Sequence, residues 1–300
     1  RVPGVHINGN GATLRATHDE TSSVQILADN VELTNITLAA SLDGPRMLGM
    51  DQQKLVLEGS GGRISHVSVS GSAAAGIFVF GAQNFSLTDV HVANTRADGV
   101  HVTNGSQHGT LSGISTSQTG DDGVAVVSYQ KDPLPCNDIT VSDVNVAGNS
   151  NGRGITVVGG TNVSMRNFAV ANTSGAGVYV ATEAAPYFIR SVDHVTISHG
   201  TITAANNDPD VVHGAILVYA GNPGTTIDNV NISDVTVRNT SSTALRNVAV
   251  NNDGGTVSNV TLDNIALTDT DLPPLATNNV PPNSLSTGDW SLNGKQIDVN

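Results

Sequence analysis

Three aspartates, Asp98, Asp121 and Asp122, lie in two segments of related pattern, TRADGVHV and TGDDGVAV. Carboxylates held about 5 Å apart, the spacing of neighbouring strands, repel one another. One of them is then expected to keep its proton at a pH where another has lost it. Such a set supplies a proton donor and a proton acceptor together. Cleavage of a glycosidic bond requires that pairing, an acid for the leaving oxygen and a base for water, or a nucleophile. A blander account exists for any one of them, because Asp-Gly is a common turn and a corner aspartate often only bonds backbone amides. Clustering is what separates these three from Asp89, Asp143, Asp193 and Asp234, which read as solvated positions on or beside strands.

The elements that must position them are repeats. AGIFVFG from Ala75, DGVHVTN from Asp98, DGVAVVS from Asp122, RGITVVG from Arg153 and AGVYVAT from Ala176 each place a glycine before alternating apolar residues. That alternation is the period of a strand with one buried face. The glycines recur at intervals of 23, 24, 31 and 23 residues, close to one coil of a β-solenoid. The long interval holds an insertion, Tyr129 to Asn137, marked as a loop by Pro133 and Pro135. A second strand recurs in each coil, in FSLTDVHV, ITVSDVNV, VSMRNFAV and VTLDNIAL, and VELTNITL reads as an earlier coil.

Register follows. Ile77, Val100, Val124, Ile155 and Val178 form one inward column, and Val79, Val102, Val126, Val157 and Val180 the next. Phe78, His101, Ala125, Thr156 and Tyr179 point outward between them. Asp98 and Asp122 occupy equivalent rungs before the glycine, with Arg153 on the following rung and His101 nearby. The glycine marks a corner, and the charged side chains there are expected to face solvent. Arg153 and His101 could moderate the repulsion and position hydroxyls, while Tyr179, Phe78, Phe80 and Tyr219 could offer apolar platforms to sugar rings. The fold expected is all-β, a single right-handed parallel β-helix over residues 1–275, with 276–300 as a C-terminal tail or cap.

Composition narrows the partners. A formal charge of −13 argues against nucleic acid and disfavours a strongly anionic polymer. No run of 18 apolar residues occurs, so no membrane-spanning helix is expected. A single cysteine, Cys136, excludes an internal disulfide and is given no role. The chain opens on Arg1 with neither a methionine nor a leader, which fits a processed or trimmed chain. No metal or cofactor is expected, and a solenoid with capped ends needs no partner, so a monomer is.

In order and alternation, TRADGVHV, TGDDGVAV and GRGITVVG resemble the Asn-Thr-Asp, Asp-Asp and Gly-His-Gly motifs of polygalacturonase-type β-helix hydrolases. Related dextranases and α-1,3-glucanases share that architecture. The resemblance covers roughly residues 75–220 and implies a secreted inverting glycoside hydrolase. In it Asp121 would be the general acid, and Asp98 with Asp122 would activate water. Two departures bear on the substrate. The histidine of Gly-His-Gly is replaced by Arg153, and the Arg-Ile-Lys expected on the next coil reads Tyr179-Val180-Ala181, so both cations that hold a galacturonate carboxylate are missing. A neutral polysaccharide, an α-glucan above others and cut internally, becomes the expected substrate, although Arg153 and Arg190 could still build an acidic-sugar pocket. Two alternatives stay open: a lyase or epimerase on a uronate polymer, with the aspartates holding Ca²⁺, and a carbohydrate-binding solenoid without activity.

Overall fold

A computed structural model describes residues 1–299 as a right-handed parallel β-helix. Short strands from successive coils stack into one sheet of 10 strands, and longer strands into a second of 14. Within the short sheet Ile77 pairs with Val100, Val100 with Val124, Val124 with Ile155 and Ile155 with Val178. Both expected inward columns lie in one continuous core, where their side chains are fully buried. Neighbouring coils stay in register because a one-residue slip would turn every valine outward.

The repeat glycine has a steric cause. A Cβ on Gly99 would sit 2.5 Å from the carbonyl oxygen of Gly123, and one on Gly123 would sit 2.7 Å from that of Gly154. Successive coils approach too closely there for any side chain.

The long strands bend at single residues in the left-handed region. Asn35, His66, Asp89, Asp143, Asn167, His199, Asp234 and Asn264 all have φ between 49° and 58°, and strand pairing stacks them in one column with Gly113. Asn and Asp tolerate this conformation better than other L-residues. Their side chains bond along the stack, Asn167 Nδ2 to Asp143 Oδ1 at 3.2 Å and Asn264 Nδ2 to Asp234 Oδ1 at 2.7 Å. Leu275–Asn278 adds a last strand to the short sheet. Trp290, pairing near the end of the long sheet, is buried against the core and donates Nε1–H to the Leu262 carbonyl at 3.0 Å.

One expectation is corrected on the outer face of the short sheet. Its outward column is covered: His101, Ala125, Thr156 and Tyr179 are all buried. Two loops do this. The insertion after Val127 meets the segment before Val192, with Tyr129 bridging Ile189, Gln130 N–H donating to the Phe188 carbonyl at 2.7 Å and Arg190 N–H to that of Ser128 at 2.9 Å. A second small apolar cluster forms beneath them from Ala125, Val127, Val158, Tyr179, Ile189 and Leu217.

Candidate active site

Because of that cover, Asp98 and Asp122 do not face open solvent as expected; they are 7% and 5% exposed. Each carboxylate spends one oxygen on the coil above. Asp98 Oδ1 accepts the Asp122 amide at 3.0 Å, and Asp122 Oδ1 accepts the Arg153 amide at 2.8 Å. The corner bonding foreseen for a lone aspartate is therefore present. It fixes the carboxylates and leaves the second oxygen of each turned to other partners, His101 Nδ1 for Asp98 and the Thr156 hydroxyl, at 3.1 Å, for Asp122.

Asp121 differs. It is the least buried of the three, its Oδ2 accepts from Arg46 Nη1 at 2.7 Å, and its Oδ1 makes no hydrogen bond among the described residues. One carboxylate oxygen from each aspartate lies within 4.8 Å of the others. Burial, and then the Asp98 charge, push the Asp121 carboxyl above its ordinary range, while Arg46 opposes them. Burial pushes Asp122 further, to about 7, against the pull of Arg153 and with help from Asp121 and Asp98. The cluster therefore holds a proton near neutrality and accepts one as well.

These groups line a cavity of about 500 Å³ together with Tyr129, Asn151, Glu183, Tyr187 and Ile189. Arg153 crosses its floor. Its Nη2 donates to Glu183 Oε1 at 2.7 Å, its Nε lies 3.6 Å from Asp122, and its guanidinium stacks 4.3 Å above the Tyr179 ring. Burial works against that charge, but Asp122, Tyr179 and Glu183 together hold the guanidinium above its usual pKa. A larger hollow of about 940 Å³ lies elsewhere, between corner columns, lined by residues such as Asn239, Asp269 and Asp271 and without an arginine or histidine to work with an acid.

The other expected residues divide. His101 is in the site, bonded to Asp98 and stacked on Phe78 at 5.2 Å. Phe78 lines an adjoining groove with Phe80, Leu48, Tyr187 and Phe188. Tyr179 is no surface platform, since it is buried under Arg153 with its hydroxyl donating to Glu183 at 3.0 Å. Arg190 does not enter the cavity; it clamps the insertion loop through the carbonyls of Tyr129 at 3.0 Å and Asp132 at 2.5 Å. Tyr219 packs at the margin of the small outer cluster and lines neither the cavity nor the groove. Cys136 is buried, and burial raises its thiol to about 11.

Three contributors escape the repeat pattern. Arg46 and Glu183 arrive from loops whose local sequence carries no periodic signal. His213 stacks on Tyr179 at 5.6 Å, has a buried Nδ1 without a hydrogen-bond partner among the described residues, and is pulled down to about 4 by burial and by Arg153 and Arg246.

Among solved structures, the catalytic unit of a GH87 α-1,3-glucanase from Streptomyces thermodiastaticus is similar over 97% of this chain, at 16% identity and a TM-score of 0.64. This chain spans only 62% of that structure's length. The A-module of a mannuronan C-5 epimerase from Azotobacter vinelandii shares 12% identity over 97% of this chain and 85% of its own, with a TM-score of 0.63. An endo-xylogalacturonan hydrolase from Aspergillus tubingensis shares 14% identity over 95% of this chain and 93% of its own, with a TM-score of 0.59. At such identities the likeness is one of fold. Among curated proteins none matches the chain. A family model for the right-handed β-helix region matches residues 3–191, more than half of the chain, which therefore belongs to the right-handed β-helix family.

Proposed function

We propose that this protein is an inverting glycoside hydrolase acting on a neutral extracellular polysaccharide, an α-glucan above others, and that it cuts within the chain. The observation that carries the reading is the unequal state of the three clustered carboxylates. Asp121 lines the cavity and keeps one oxygen that no described residue bonds, which supports its role as the carboxyl that donates to the leaving oxygen. Asp98 and Asp122 are buried and pinned by backbone amides, yet each oxygen retains a second lone pair for a water molecule. A retaining reaction needs a carboxylate free to bond the anomeric carbon. The two remaining carboxylates are each fixed through both oxygens, which supports their holding a water in place rather than moving to bond that carbon.

The oxygens lie closer than the roughly 6.5–9.5 Å usual when water sits between an acid and a single opposing base. Water seated beside the Asp98–Asp122 pair removes the need for that gap. The anomeric configuration of the fresh product, read by proton NMR, tests this directly, and a retained anomer would overturn it.

Charge supports a neutral sugar. The cavity sets Asp98, Asp121, Asp122 and Glu183 against Arg46 and Arg153, and both arginines are already paired. Within that cavity, among the described residues, a uronate carboxylate would meet no guanidinium that is not already paired. The groove of Phe78, Phe80 and Tyr187 beside the cavity suits further sugar rings of an internal site.

Three carboxylates this close could also serve a divalent cation, as elimination on a uronate would need. Two guanidinium groups already supply the positive charge at these oxygens, and a bound cation would have to displace or repel them. A panel of neutral and acidic glycans decides between the readings. Reducing ends released from a neutral glucan, insensitive to chelator, support hydrolysis; an ultraviolet-absorbing unsaturated product from a uronate polymer sinks it. Absence of turnover on every glycan would leave a binding solenoid.

A further inference from the structure

Arg96, two residues before Asp98, does not line the cavity, yet its side chain is almost wholly buried. Its guanidinium faces away from the aspartates, toward the loop between Ala40 and Met47. Nη1 donates to the Asp19 carboxylate at 2.7 Å and to the Pro45 carbonyl at 3.1 Å. Nη2 donates to the Ser41 carbonyl at 3.1 Å and to the Asp43 carbonyl. Gly44 lies flat against the fork. Its φ is +128°, and a Cβ there would fall 2.9 Å from Nη1.

The loop has little else to hold it. Ala40 N–H is bonded to the Ser70 carbonyl at 3.0 Å, and Met47 N–H to the Ala73 carbonyl at 2.8 Å. Between those two anchors, the backbone's hydrogen bonds to other parts of the described chain all run to Arg96. The next side chain after Pro45 is Arg46, the one that reaches Asp121. A planar guanidinium satisfies three carbonyls and a carboxylate at once, a task a lysine ammonium cannot match in geometry.

We propose that Arg96 is a positioning residue which shapes the 41–45 loop so that the Arg46 guanidinium meets the Asp121 carboxylate at bonding distance. The proposal deepens the reading of Asp121 as the proton donor and rests on it for its consequence in catalysis. It adds a part of the machinery outside the cavity: Asp19 bonds Arg96, Arg96 bonds the Pro45 carbonyl, and the next residue, Arg46, bonds Asp121.

The test is the titration of the Asp121 carboxyl, followed by carbon-detected NMR on the full chain in wild type, Arg96→Ala, Arg46→Gln and the double variant. Around Asp121 the charged and titratable groups are Arg46, Asp98 and its partner His101, Asp122, Arg153, Glu183, Tyr129 and Tyr187. Of these only Arg46 depends on the loop. Losing a bonded cation raises a carboxyl pKa, so both single variants are expected to titrate about one pH unit higher than wild type. The double variant should go no further, because both changes remove one interaction. A wild-type titration in Arg96→Ala, with Arg46→Gln shifted, overturns the proposal. So does a double variant whose shift is the sum of the two.

Should Arg96→Ala not fold, Arg96→Lys serves instead. It keeps the ion pair with Asp19 but loses the fork, so an upward shift supports the proposal and a wild-type titration overturns it. On an active substrate, kcat in Arg96→Ala should fall with Arg46→Gln by about tenfold while KM stays within about twofold. The titration needs no substrate. A wild-type protein inert on all glycans therefore defeats the proposed function, while the positioning role of Arg96 is still decided by the Asp121 titration alone.

Discussion

The molecule carries aspartates at stacked corner positions in two places, and they behave oppositely. Asp89, Asp143 and Asp234 occupy the left-handed bend of the long strands, and Asp98 and Asp122 the turn into the short ones. Asp234 is open to water, and its hydrogen bond from Asn264 draws its pKa below the usual carboxylate range. Asp122 is sealed, and burial raises it to about 7. Residue type and repeat position do not separate the two stacks. The cover does: the loops after Val127 and before Val192 close over one corner and leave the other bare. Water removed from a carboxylate costs far more than one hydrogen bond returns, so Asp122 is raised toward neutral pH while Asp234 is lowered.

Removing the covered acids should have the largest effect. Asp121→Asn is expected to lower kcat on a neutral glucan by about 10³-fold or more, with the fold unchanged by circular dichroism, while Asp143→Asn retains wild-type turnover. Equal losses at the two stacks would break the comparison. Next comes the cation beneath the covered stack. Arg153→Ala leaves the buried Asp122 and the half-buried Glu183 without their partner, and urea unfolding should show a loss of about 3–5 kcal/mol.

A smaller effect has opposite signs at the two places. Asp122 is protonated up to about 7 when folded and only to 3.8 when unfolded. The stability this brings is complete below the unfolded value and is lost as the pH rises through 7. Wild-type Tm should therefore fall from about pH 4 to about pH 8, and Asp122→Asn should flatten that fall. At Asp234 the folded pKa is depressed, so its contribution is present above the unfolded value and is lost as pH falls. Asp234→Asn should lessen the loss of Tm in acid and leave the alkaline side alone. The smallest change expected is Phe78→Ala, which should raise KM for longer oligosaccharides by a few fold with kcat held, since Phe78 lines the groove and not the acid cluster.

Much of the fold is legible in the chain itself. The period-two columns from Ile77 and Val79 mark the inward face, because a strand with one dry side must alternate. The glycine spacing marks the coil, because stacked backbones leave no room for a Cβ at that point. The repeat puts Asp98 and Asp122 on equivalent rungs, and the strands that follow them pair in that register. Exposure is where the repeat misleads. Expected to face solvent, both aspartates are buried, and Tyr179 lies under Arg153 rather than beneath a sugar. Alternation reports which side of a strand a residue takes; it is silent on what a distant loop lays over that side. Arg190 and Tyr219 fall outside the cavity for the same reason.

By itself, then, the sequence determined the solenoid, its register and the stacking of three carboxylates, all consequences of local repetition. Tertiary structure decided that Asp121 and Asp122 hold their protons above the ordinary carboxylate range. Two loops joined across the sheet supply the burial that raises them, while Arg46, 75 residues from Asp121, and Arg153, tied to Glu183 30 residues on, pull the other way. Desolvation and charge pairing act through space, and no repeat in the chain records them.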